Sequence, residues 1–66
     1  MKVHFDREAD ALHIRLDESE IVESEEIRPG VVLDLDRRGE IIGIEMLRVA
    51  ERLPTAELNH LEFDLV

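Results

Sequence analysis

Apolar and polar residues alternate along two stretches of the chain, and the two stretches repeat the same order of residue types. Val3 to Leu16 (VHFDREADALHIRL) is echoed thirty positions later by Leu33 to Met46 (LDLDRRGEIIGIEM). Val3, Phe5, Leu12, Ile14 and Leu16 of the first stretch correspond to Leu33, Leu35, Ile42, Ile44 and Met46 of the second. A period of two places successive side chains on opposite faces of a strand, so each stretch reads as strand, charged turn, strand. Cross-strand partners must share a face. That parity pairs Phe5 with Leu12 and Val3 with Ile14, leaving Arg7 to Asp10 as a four-residue loop. It likewise pairs Leu35 with Ile42 and Leu33 with Ile44 around Arg37 to Glu40. Gly39 suits the positive φ such a loop needs. Ala9 holds the equivalent place in the first loop, which is therefore expected to be more strained or differently shaped.

Between the two stretches, Ile21 to Ile27 predicts a third strand, polar enough to be half exposed. Arg28-Pro29-Gly30-Val31 is a turn signal, with Pro at the second and Gly at the third position of type II. Val32 and Ile41 add apolar residues to the outer face of the second stretch, which predicts a central strand pair covered on both sides by a helix or a second subunit. After Leu47 the period changes. Ala50 to Leu53 predicts one helical turn halted by Pro54. Thr55 is placed to cap a further short helix carrying Glu57, Leu58 and Leu61. The alternation in Leu61 to Val66 favours a last edge strand, with one helix continuing to Leu65 as the competing reading. The fold class expected is α+β, mainly antiparallel β: two tandem β-hairpin repeats, an intervening strand and a short C-terminal helix. Residues 1–66 form a single domain.

Composition narrows the picture. A chain of 66 residues buries only about 60% of the surface its unfolded form exposes, and without cysteine it has no disulfide staple and no thiolate metal site. Association into a homo-oligomer, a dimer above all, is the expected source of further burial. The opening MKVHFDREAD has no apolar core of a signal peptide, and no run approaches the roughly 18 apolar residues of a membrane span. A cytoplasmic location away from membranes is expected. Seventeen acidic residues against eight basic ones give a net charge of −9. With one lysine, scattered arginines and two aromatics, neither a phosphate-neutralising patch nor a base-stacking platform is available, and nucleic acid is not an expected partner. A basic protein is the partner such a charge attracts.

The string from Phe5-Asp6 through Glu8-Ala9-Asp10-Ala11-Leu12 and Ile14-Arg15-Leu16, then Val22 to Ile27, Pro29-Gly30-Val31, Leu33-Asp34, Asp36, Gly39 and Gly43-Ile44-Glu45, resembles a known family. It is similar to the small prokaryotic proteins grouped as domain of unknown function 2283 (DUF2283), over about residues 1 to 53. The resemblance implies a compact, mostly antiparallel β domain of unassigned function, and an antitoxin-like pairing with a small toxin. Two positions depart from the pattern: such proteins usually carry Tyr where this chain has His13, and Lys or Arg where it has His4. A histidine-based chemistry here would be a property of this chain and not of the family.

Two groups of residues carry candidate chemistry. The derived hairpin register sets His4 and His13 opposite one another on the outward face, roughly 5 Å apart at Cβ, with Asp6 one step along. Two imidazoles and a carboxylate can hold zinc and leave a position open, so a metal-binding protein or metal-dependent enzyme using His4, His13 and Asp6 is the alternative reading. His60 has no partner in this pattern. The acidic residues Glu20, Glu23, Glu25 and Glu26 lack the spaced ligands and glycine of a calcium loop. They read as a solvated edge that discourages sheet-to-sheet aggregation or as the binding surface for a basic partner, with Leu53 to Val66 as the other candidate surface. The carboxylate pairs Asp34/Asp36 and Asp6/Asp10 would need an apolar cleft to do acid–base work. No nucleophile or phosphate loop is present, no cofactor is expected, and the chain is not expected to be an enzyme. The leading expectation is a small interaction module, in its concrete form an antitoxin-like acidic inhibitor of a basic partner.

Overall fold

The computed structural model describes residues 1–66 and contains five strands: β1 (Lys2–Asp6), β2 (Ala11–Arg15), β3 (Glu23–Arg28), β4 (Val31–Leu35) and β5 (Ile41–Leu47). One short helix follows, α1 (Val49–Arg52). The strands make a single antiparallel sheet in the order β1-β2-β5-β4-β3. The last strand of the chain is thus the middle one of the sheet, paired on one side with β2 and on the other with β4.

β1 and β2 pair in the register that parity dictates, with Val3 opposite Ile14, His4 opposite His13 and Phe5 opposite Leu12. The strain expected at Ala9 falls instead on Asp10, which takes the positive φ of 54°, as short polar side chains can. Asp6 steadies this loop by accepting hydrogen bonds from the Glu8 and Ala9 amides. In the second loop Gly39 takes φ 84° as expected, and the buried Asp36 accepts from the amides of Arg38 and Glu40 at 2.9 Å each. Leu33 stands opposite Ile44, but Leu35 lies opposite Ile41 and not Ile42, because the register shifts between Asp34 and Leu35. An extra residue in β5 produces the shift, and a period-two argument has no means of detecting a bulge. Gly30, at φ 79°, turns the chain from β3 into β4 as the Pro-Gly signal requires.

The intervening strand begins at Glu23, two residues later than expected, and is exposed along its whole length as an edge. The helical turn after Leu47 forms one residue early. Its Ala50 amide is capped by the carboxylate of Asp10, 40 residues away in sequence, at 2.9 and 3.1 Å. Arg52 ties it to the sheet through its guanidinium, which donates to the carbonyls of Leu47 and Pro29. Beyond it, neither the Thr55-capped helix, nor the terminal strand, nor the competing helix to Leu65 is formed; residues 53–66 contain only turns and irregular chain. A helix of so few residues recovers too little hydrogen bonding for its nucleation cost.

Alternation sorts the sheet into two faces. One carries Val3, Phe5, Leu12, Ile14, Leu33, Ile44 and Met46; the other carries His4, His13, Asp34, Gly43 and Glu45. The buried apolar residues are Leu35, Ile42 and Val49. Phe5, Leu12, Ile14, Leu33, Ile44 and Met46 are only half-buried. Of Leu33, Leu35, Ile42 and Ile44, the four residues that the alternation of the second stretch assigns to the core, Leu35 and Ile42 are closed off from solvent and Leu33 and Ile44 are not. On the opposite face Asp34 and Gly43 are buried and Val32 is half-buried, while Ile41, which the bulge brings opposite Leu35, is exposed. Residues 57–61 run across the β1–β2 end of the apolar face and leave a groove of about 470 Å³, lined by Phe5, Leu12, Ile14 and Leu58 among others.

Candidate functional site

The polar face of the sheet holds the one cluster with chemical potential. His13 of β2 stands directly opposite Glu45 of β5, and Asp34 of β4 stands directly opposite Gly43 of the same strand. His13, Asp34 and Glu45 each contribute one ligating atom, and these atoms all lie within 4.8 Å of one another. Asp34 is 1% exposed. Its Oδ1 accepts a hydrogen bond of 2.7 Å from the Ser24 hydroxyl, the neighbour across the β3–β4 ladder. Its Oδ2 lies 3.2 Å from His13 Nε2, yet no aligned hydrogen bond joins them, and both atoms are cut off from solvent without a hydrogen-bond partner.

Gly43 makes this arrangement possible. A Cβ at that position would stand 2.9 Å from Asp34 Oδ2, 3.2 Å from Asp34 Cβ and 3.4 Å from His13 Nε2. The glycine's φ is not in the left-handed region, so its value here is space and not backbone freedom. The order of side chains is also informative. Ser24 and His13 lie on opposite sides of Asp34, so the imidazole cannot take the serine proton, and the three do not form a nucleophilic triad.

Charges in the cluster oppose one another. Burial pushes the Asp34 carboxyl up, but the Ser24 hydroxyl, the Glu45 carboxyl and His13 outweigh burial and hold it below the usual carboxylate range. Glu45 is raised, first because its protonated carboxyl can donate to Asp34, then by burial and by the Asp34 charge. A carboxyl whose value is raised on folding contributes stability below its unfolded value and loses it as pH climbs through the folded one. Wild-type stability from Glu45 should therefore decline above the ordinary glutamate range. Glu45→Gln, which keeps a donor and carries no charge, is expected to melt higher than wild type at neutral pH in metal-free buffer and level with it near pH 4. Thermal melts of both proteins across that interval check the sign; a Gln variant less stable than wild type at pH 7 would contradict it.

The residues expected to bind metal are only partly brought together. His4 faces His13 in the β1–β2 register, whereas Asp6 commits its Oδ1 to its own turn. The residues that do converge with His13 are Asp34 and Glu45. His60 lies in the segment that borders the groove on the apolar side. Of the acidic residues, Glu23, Glu25 and Glu26 lie on β3, where alternation splits them between the two faces. Glu26 accepts a hydrogen bond from the Gly30 amide, and exposed Glu20 pairs with Arg37 at 3.7 Å. The carboxylate pair Asp34/Asp36 separates, one into the cluster and the other into the β4–β5 turn. Glu45 was the residue that sequence reasoning missed. Its signal was available: Gly43 and Glu45 share a face within an otherwise apolar strand, and a glycine there needs a reason.

No helix is long and apolar enough to cross a membrane. A family described as "Protein of unknown function (DUF2283)" matches residues 2–49, a span that contains the whole sheet and all of the cluster. The chain belongs to that family. No curated protein and no solved structure matches it.

Proposed function

We propose that this member of the DUF2283 family is a protein-interaction module that self-associates through the apolar face of its sheet and offers the acidic β3 edge to a basic partner. The observation that carries this reading is surface left open. The chain exposes 5432 Å², whereas a compact monomer of 7.6 kDa exposes about 4,300 Å². The excess, about 1,100 Å², includes the irregular tail with exposed Leu61, Phe63 and Leu65 as well as the apolar face, and it is of the order that each partner of a standard-sized interface covers, about 800 Å². The radius of gyration of 12.7 Å exceeds the roughly 10.8 Å of a compact chain of this length. Half-buried Ile14, Leu33, Ile44 and Met46 in the middle of the sheet are the residues a second copy would cover.

The acidic edge suits a second role. Glu23 and Glu25 stand exposed on β3 with no ion-pair partner, and a net charge of −9 raises the rate of encounter with a basic protein. An antitoxin-like inhibitor is the concrete form of this reading, its carboxylates standing in for phosphate on a basic cleft. Such contacts weaken as salt shortens the screening length to about 10 Å at 0.1 M.

Self-association is tested by sedimentation together with melting at several concentrations. A dimer is expected, with a melting temperature that rises by roughly 5 °C per tenfold increase in protein. Val3→Glu should weaken association while leaving the circular dichroism of the sheet intact, since Val3 lies on the apolar face and is itself 40% exposed. A monomer at every concentration, melting at one temperature, would overturn the reading.

A further inference from the structure

We propose that His13 Nε2, Asp34 Oδ2 and the Glu45 carboxylate form a binding site for a divalent first-row transition cation, with zinc the best fit. Three strands supply the ligands, and the ladder fixes their spacing: His13 pairs with Glu45, and Asp34 with Gly43. Ligands within 4.8 Å of one another can close onto one ion, because zinc takes nitrogen and carboxylate oxygen at about 2.0–2.2 Å.

Exposed acidic groups often crowd together without binding anything, and the distinction here is burial. Asp34 is 1% exposed, and its Oδ2 and His13 Nε2 face one another at 3.2 Å without a hydrogen bond to any group. A buried polar atom left unpaired costs about 1–3 kcal/mol. One cation between the two would satisfy both and would neutralise the repulsion between Asp34 and Glu45.

The surroundings are those of a held ligand set. The Ser24 hydroxyl engages Asp34 Oδ1, which fixes the carboxylate and leaves Oδ2 directed at the cluster, as the outer hydrogen bonds of metal ligands do. Gly43 leaves vacant the volume that any side chain would take from Asp34 and His13. The chemistry of the donors selects the ion: an imidazole disfavours calcium and magnesium, which take oxygen ligands, six to eight for calcium. Three protein ligands leave a coordination position for solvent, and the His13 side chain, 36% exposed, lies at the side from which an ion would enter. This ligand set differs from His4, His13 and Asp6, since Asp6 is engaged in its turn.

The test is calorimetric titration of the chelator-treated full chain with zinc chloride, with magnesium and calcium chloride as comparisons. One zinc ion per chain is expected, with little heat from the other two ions. His13→Gln and Glu45→Gln should each weaken uptake at least tenfold, whereas His4→Gln, Asp6→Asn and His60→Gln should leave it unchanged. Both decisive positions are half-buried, so folding of the variants is expected, and circular dichroism verifies it. Cobalt substitution gives an independent readout, since its visible absorption reports nitrogen and oxygen ligation and should change on loss of His13. Absence of zinc uptake by wild type would overturn the site and make the cluster a structural His–Asp pair. Uptake that survives His13→Gln, or that depends on His60 or His4, would overturn it as well. Neither result bears on dimerisation, which is read in metal-free buffer.

Discussion

Alanine at position 42 is expected to remove most of the protein's stability at 25 °C. Ile42 is 4% exposed and one of three buried apolar residues, and it sits at the bulge of the strand that joins both halves of the sheet. Removing a buried isoleucine side chain to alanine costs about 2–5 kcal/mol, against a total stability of about 5 kcal/mol for a domain of this size. Ile44, two residues along the same strand, provides the comparison. It is half-buried in the single chain, so Ile44→Ala costs about 1 kcal/mol if the face stays open to water. If a second copy covers the face, the cost joins the 2–5 kcal/mol class. Urea denaturation of both variants at fixed concentration measures the two numbers. Equal, small losses would show that neither the buried core nor the covered face has been assigned correctly.

Gly43→Ala is expected to be the most damaging exchange on the polar face. The new methyl would stand 2.9 Å from Asp34 Oδ2 and 3.2 Å from its Cβ. These atoms cannot withdraw easily, because the Asp34 side chain is buried and held by Ser24. Overfilling of this kind costs about 1–3 kcal/mol. Displacement of the carboxylate also separates it from His13, so zinc uptake should fall at least tenfold even at temperatures where the variant remains folded. A Gly43→Ala protein with wild-type melting temperature and wild-type uptake would show that the cluster tolerates the intrusion and that the close approach is not functional.

What could be read from the residues follows from which rules are local. The β1–β2 register was legible because an even loop keeps Phe5, Leu12, Val3 and Ile14 on a common face, whereas a three-residue loop would set Val3 against His13. Gly30 and Gly39 announced their turns for the same kind of reason, since each takes a backbone angle that few other residues accept. The bulge opposite Leu35 was not legible, since inserting one residue preserves composition and breaks only parity. The order of strands was not legible either, and with it went the cluster: His13, Asp34 and Glu45 meet only because β5 lies between β2 and β4. The tail failed for the opposite reason. Thr55, Glu57 and Leu58 have the right local preferences, but a few residues of helix with no surface to bury against do not repay the ordering of their backbone.

The central position of β5 has a kinetic meaning. β1 finds β2, and β3 finds β4, across short loops that close in microseconds or less. The pairing of Ala11 with Leu47 or Leu12 with Met46 instead closes a loop of more than thirty residues, and chain entropy must be spent there before any contact repays it. The join between β2 and β5 is therefore the slow event of folding, and it completes the ligand cluster at the same moment. Asp10 cannot reach the Ala50 amide until that join has formed. The cap on α1 thus acts as a latch that cannot close before the two halves of the sheet have joined and cannot stay closed once they part.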